Sequence, residues 1–248
     1  MSFISRFSHT TYSELSKPQT LEEKKAFLQG VDITVLIDGS KSMLIDDEKD
    51  GVKRCDLVRE HAKRIIKTAL SLDKDGVDVC RFNDTTVWKN NVKNYQEIDE
   101  FLQQDPQGKT HLKKALKEAF YEHFSRKKKN NDQRSIFLIF TDGIPDYEKK
   151  DLSRCASEVG QLIIDQAKKT DRKKRFKQNF SDGREPSLKT TELGIRFFQV
   201  GADPEATKYL KTLDEKLPAK VDIVHVGNVD ELKNTESIIE AFINAIFG

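Results

Sequence analysis

The apolar positions of this chain fall into short blocks whose spacing switches repeatedly between strand-like and helix-like. Ile33-Thr34-Val35-Leu36-Ile37 is a compact β-branched run and predicts a first strand. Val52, Leu57, Val58, Ile65, Ile66 and Ala69 then recur at helical spacing across residues 52–72. Gly76 to Phe82 predicts a second strand, and Thr85 to Trp88 a third, folded back through the tight turn Asn83-Asp84. A short helix is expected over about Gln96 to Gln103. Leu112, Ala115, Leu116, Ala119, Phe120, His123 and Phe124 repeat every three or four residues and mark an amphipathic helix. Ile136-Phe137-Leu138-Ile139-Phe140 is the most apolar run, the pattern of a central strand buried on both faces.

The second half continues the alternation. A helix over about 150–169 carries Leu152, Cys155, Ala156, Val159, Leu162, Ile163 and Ala167 on one side. Residues 170–192 are polar and lysine-rich and read as an exposed loop. Ile195 to Val200 predicts a strand, 204–217 a helix and Val221 to Val226 the last strand. The closing helix bears Ile238, Ile239, Phe242, Ile243, Ile246 and Phe247, a stripe that reads as core. Strand–helix alternation of this kind means an α/β fold, a mostly parallel sheet with helices on both faces. Ahead of it, residues 1–30 read as an N-terminal arm with a short helix, opened by the capping-box pair Thr20 and Glu23 and ended at Gly30. Residues 31–248 form the main domain, with no internal repeat and no Pro- or Gly-rich linker.

Composition narrows the class. Charged residues make up 34% of the chain and hydrophobic ones 36%, yet the formal net charge is only +2, so the whole chain has no strong pull toward nucleic acid or membrane. The basic tracts Arg126-Lys127-Lys128-Lys129 and Lys168 to Lys177 read as solvated. Aromatic interleaving there is limited to Phe176 and Phe180, which argues against nucleic-acid binding. Three cysteines, Cys55, Cys80 and Cys155, form no close-spaced pair and fit a reducing compartment. Met1 to Gln19 lacks the apolar core of a signal peptide, and no apolar stretch approaches the ~18 residues of a membrane span. A cytoplasmic protein is the expectation.

In a doubly wound sheet, ligands bind beyond the carboxyl ends of the strands. Asp38-Gly39-Ser40-Lys41-Ser42 follows the first strand, and Thr141-Asp142-Gly143 follows the central one. Gly108-Lys109-Thr110 precedes the 112–124 helix. Two carboxylates and three hydroxyls thus converge on one rim. Such an oxygen set suits a hard divalent cation, and the absence of sulfur or nitrogen ligands disfavours zinc. Each residue also has a plainer reading. Thr110 fits a helix N-cap, Ser40 and Ser42 fit turn hydrogen bonds, and Asp142-Gly143 fits an ordinary turn.

Taken jointly, Asp38-x-Ser40-x-Ser42, Thr110 and Thr141-Asp142-Gly143 resemble the metal-ion-dependent adhesion site of von Willebrand factor A domains. Gly194 to Gly201 resembles the fifth strand of intracellular members. The resemblance implies a Rossmann-like six-stranded sheet of order 3-2-1-4-5-6 with strand three antiparallel at the edge. It implies a metal set of Asp38, Ser40, Ser42, Thr110 and Asp142 holding magnesium, with manganese or calcium as alternatives. A protein partner's Asp or Glu carboxylate would complete the shell, with specificity from the loops at 43–51, 83–84, 104–109 and 144–150. One departure is Lys41, where the family often has a small residue; the side chain stands either to compete with the ion or to meet an acidic partner.

Rival readings remain in view. The acids Asp46, Asp47, Glu48 and Asp50 read as a solvated loop. His123 fits the apolar face of its helix and reads as packed. A haloacid-dehalogenase-like phosphatase would need an acid two residues after Asp38, where Ser40 stands. A phosphate-binding loop ending at Gly108-Lys109-Thr110 would need glycine where Gln103 stands. No placed nucleophile or base marks an enzyme. An intracellular scaffold or assembly subunit whose metal site is structural is the main alternative.

Overall fold

The computed structural model describes residues 16–47, 51–72, 75–127, 134–143, 159–165, 193–215 and 223–248. Its six strands form one sheet in the order β3-β2-β1-β4-β5-β6. They span Val31–Asp38 (β1), Val77–Phe82 (β2), Thr86–Val92 (β3), Arg134–Thr141 (β4), Leu193–Gln199 (β5) and Val224–Asn228 (β6). All pairs are parallel except β2 with β3. This is the predicted α/β architecture, strand order and edge orientation.

Helices cover both faces: Leu21–Leu28 (α1), Arg54–Leu72 (α2), Asp99–Gln103 (α3), Leu112–Lys127 (α4), 159–165 (α5), Pro204–Glu215 (α6) and Thr235–Phe247 (α7). The alternation of strand side chains sorts the core into two layers. Ile33, Val35 and Ile37 of β1 and Ile136, Leu138 and Phe140 of β4 pack with α1, α2 and α7. Leu36 of β1 and Phe137 and Ile139 of β4 face α4, α5 and α6. The closing helix is core, as its stripe predicts: Ile238, Ile239, Phe242, Ile243 and Ile246 are all buried.

α1 begins at the predicted capping box. The Thr20 hydroxyl accepts from the Glu23 N–H at 3.2 Å, and the Glu23 carboxylate accepts from the Thr20 N–H at 3.0 Å. The helix docks on α7, with Leu28 fully buried, the Phe27 and Phe247 rings 5.2 Å apart and Lys24 paired with Glu240. His123 is packed, its Nδ1 lying 2.6 Å from the Ser135 hydroxyl and its ring edge-on to Phe137.

Boundaries shift where the sequence signal is weak. β3 runs to Val92, through Lys89-Asn90-Asn91, because an exposed edge strand needs no further apolar residues to pair. A register irregularity at Val77/Val79 goes with Asn91 at φ 55°. The helix expected over 96–103 divides into a 3₁₀ turn, Tyr95–Ile98, and α3. β5 starts two residues before Ile195, and β6 starts at Val224 and runs on to Asn228. The loop 170–192, the basic tract 168–177, Cys155 and most of the 150–169 helix lie outside the described residues. No helix among the described residues is long and apolar enough to cross a membrane.

Candidate metal centre

Asp38 is the last residue of β1, and parallel pairing of β1 with β4 brings Asp142 to the same end of the sheet. Both carboxylates are buried, 2% and 6% exposed. The Ser40 N–H donates to Asp38 Oδ1 at 2.9 Å, closing a tight turn that aims the loop back over the strand end. The Ser40 and Ser42 hydroxyl oxygens are 3.1 Å apart. Ser40 is fully buried and Ser42 half-buried.

A backbone ladder joins this loop to the segment that carries Thr110. Gly39 N–H donates to Phe82 O at 2.8 Å, Gln107 N–H to Gly39 O at 2.8 Å and Lys41 N–H to Gly108 O at 3.1 Å. Thr110, two residues beyond Gly108 and 2% exposed, is thereby held beside the Asp38 loop. All five residues singled out in the sequence lie at the carboxyl end of β1 and β4 or on the loop bonded to it. Lys41 is exposed.

Two further residues belong to the arrangement. The Thr141 hydroxyl donates to Asp38 Oδ2 at 2.8 Å and accepts from Gly143 N–H at 3.1 Å, so that Thr141 holds one oxygen of Asp38 and the Ser40 N–H the other. Arg54 Nη1 donates to Asp142 Oδ2 at 3.0 Å, and its Nε donates to Asp47 Oδ1 at 2.8 Å. The acidic loop expected to be solvated is therefore divided. Asp46 is exposed, Asp47 is paired with Arg54, and Glu48 and Asp50 lie outside the described residues. Arg54 gave no signal in the sequence, where the helical spacing begins at residue 52; the structure makes it the first helical residue, where a cation opposes the helix dipole and needs acidic partners.

The electrostatics mark a site short of positive charge. Burial, and then the negative charge of Asp142, push the Asp38 carboxyl up to about 7 in the cation-free protein, despite its hydrogen bonds from Ser40 and Thr141. Among the described residues no three His, Cys, Asp or Glu side chains group to hold a metal, so any ion here must use hydroxyls beside the two carboxylates. That donor set fits magnesium, which takes oxygen ligands and keeps waters in the remaining positions.

Comparison with known proteins agrees with this architecture. The family model of the von Willebrand factor type A domain matches residues 32–241, and the chain belongs to that family. No curated protein matches in sequence. Among solved structures, the SpRpn10 VWA domain superposes with TM-score 0.51 at 12% identity, covering 80% of this chain and 87% of that one. The PilB minor pilin from Streptococcus sanguinis gives 0.56 at 13% identity, covering 87% of this chain and 60% of that one. The vWF domain of the type V pili tip protein Mfa5 from Porphyromonas gingivalis gives 0.50 at 9%, covering 88% and 96%. At such identities the likeness is one of fold.

Proposed function

We propose that the domain is a metal-dependent protein-binding module rather than an enzyme, with a divalent cation held by Asp38, Ser40, Ser42, Thr110 and Asp142. Magnesium is the first choice, with manganese or calcium as alternatives. The observation that carries this reading is the gathering of two buried carboxylates, Asp38 and Asp142, with the Ser40, Ser42 and Thr110 hydroxyls at one end of the sheet, an all-oxygen donor set that suits a hard divalent cation. Bound there, the ion supplies an open coordination position to an Asp or Glu carboxylate of a protein partner. Thr141 and the Ser40 N–H hold Asp38 in one orientation, so little reorganisation accompanies binding. The loops at 83–84 and 104–109 stand beside the site to select the partner, and exposed Lys41 on the rim favours an acidic one. The widely spaced cysteines support a reducing, cytoplasmic setting for the module.

A second reading has its own support. Because four of the five ligand residues are buried, an ion among them would serve an assembly subunit equally well as a closed structural centre. Manganese distinguishes the two. Loading EDTA-stripped protein with Mn²⁺ is expected to enhance water-proton relaxation, and titrated acetate is expected to reverse that enhancement as it displaces metal-bound water. Binding that acetate leaves untouched would favour the structural centre; no manganese binding would remove both.

A further inference from the structure

Arg54 is enclosed more completely than its place at a helix start requires. It is 5% exposed. Its guanidinium reaches Asp142 Oδ2 on one side and both oxygens of Asp47 on the other. Its backbone N–H donates to Ile45 O at 3.0 Å, tying the helix start to the loop after β1. Behind it stands Gly201, at φ 80°, where an added Cβ would lie 2.6 Å from Arg54 Nε. The chain thus gives up a side chain at Gly201 to seat this cation. Burial and the helix dipole both oppose a positive charge here, so the two carboxylates hold it.

We infer that Arg54 is the resident counter-cation of Asp142, competing with the divalent ion for the same carboxylate charge, and that Asp47 sets the strength of that competition. The inference rests on the metal reading above and deepens it. With Asp38 and Asp142 ionised, Arg54 offsets one unit of negative charge from the Asp142 side, while buried Arg81, whose guanidinium lies against Gly39, offsets part of the charge on Asp38 and bonds elsewhere, to Gln104 and the Asp105 carbonyl. Asp47, 38% exposed, restores part of that charge under solvent screening. An ion entering this site meets less negative charge than two free carboxylates offer. A partner carboxylate adds the missing charge, so ion and acidic partner bind with positive cooperativity rather than in independent steps. The same arginine keeps the cation-free domain folded by neutralising half of a buried acid pair.

Calorimetric magnesium titrations of the full chain, as wild type, Arg54→Gln and Asp47→Asn, test this alongside melting curves in EDTA. Arg54→Gln is expected to bind magnesium at least about tenfold tighter, to melt lower in EDTA and to recover on adding magnesium. Asp47→Asn is expected to bind about three- to tenfold weaker, because Arg54 then turns wholly to Asp142. Opposite signs in the two variants support the inference. Arg54→Gln binding no tighter than wild type, or both variants shifting the same way, would overturn it and leave Arg54 as a mere brace between loops. Should Arg54→Gln fail to fold in EDTA, the direction of the Asp47→Asn shift decides, since that residue lies on the surface. Absence of binding in all three proteins would sink the metal reading itself, an outcome distinct from failure of the arginine's role.

Discussion

Asp38→Asn is expected to raise the melting temperature of the cation-free domain at pH 8 while abolishing its response to magnesium. The folded-state Asp38 carboxyl sits at about 7, against 3.8 for an ordinary aspartate, first through burial and then through the charge of Asp142. A carboxyl raised on folding binds its proton more tightly in the folded chain than in the unfolded one. The stability it contributes is therefore full below about pH 4 and is lost as pH rises through about 7. Stripped wild-type protein should lose melting temperature across that window, and stripped Asp38→Asn should not show that loss. Asparagine keeps an acceptor for the Ser40 N–H and a polar contact to Thr141, so the fold survives the change. The gain at pH 8 should be on the order of 5 °C, from about 2 kcal/mol in a domain of this size. In wild type, magnesium at a hundred times its Kd adds about 2.7 kcal/mol, and the variant should gain none of it. Scanning calorimetry at pH 5 and pH 8, with EDTA and with magnesium, reads all four conditions. A stripped variant no more stable than wild type at pH 8 would show that the acid pair is not under electrostatic stress.

Gly194→Ala should cost more than most surface or strand substitutions in this chain. Gly194 lies in β5 against α7, and an added Cβ would stand 2.0 Å from the Ala245 carbonyl oxygen and 2.5 Å from its carbon. The obstacle is helix backbone, which cannot rotate away as a side chain does. Relief requires moving α7, whose buried Ile, Ala and Phe residues fill one layer of the core. Overpacking of this kind costs about 3 kcal/mol, a fall of roughly 6–12 °C in melting temperature. Gly194→Val should leave little folded protein at 37 °C. Thermal melts with far-UV circular dichroism measure both, and an alanine variant melting within about 2 °C of wild type would mean that α7 is seated more loosely than the contact indicates.

These two residues also mark what the sequence discloses and what it conceals. Strands β1 and β4 were legible because burial on both faces leaves an unbroken apolar run, and the helices α4 and α7 because one buried face leaves a clear period. The set Asp38, Ser40, Ser42 was legible as a contiguous motif behind a strand; the strand-end rule drew Asp142 to it, and Thr110 joined through the family resemblance. Arg54 escaped because its partners are 7 and 88 residues away, and neither spacing has meaning along the chain. Gly194 could be seen as a strand residue, but the need for glycine comes from a helix at the far end of the sequence. The length of β3 was hidden for a third reason: past Trp88 an edge strand is held by backbone pairing, which writes no hydrophobic signature.

The central claim is that Asp38 and Asp142 hold a divalent cation on this rim. Calorimetric titration of EDTA-stripped protein with magnesium, beside the Asp38→Ala/Asp142→Ala double variant, tests it most directly. The account predicts saturable binding of a single ion per chain by the wild type and none by the variant, with both proteins folded. Folded wild type that takes up no magnesium, or a variant that binds as well as wild type, would contradict it.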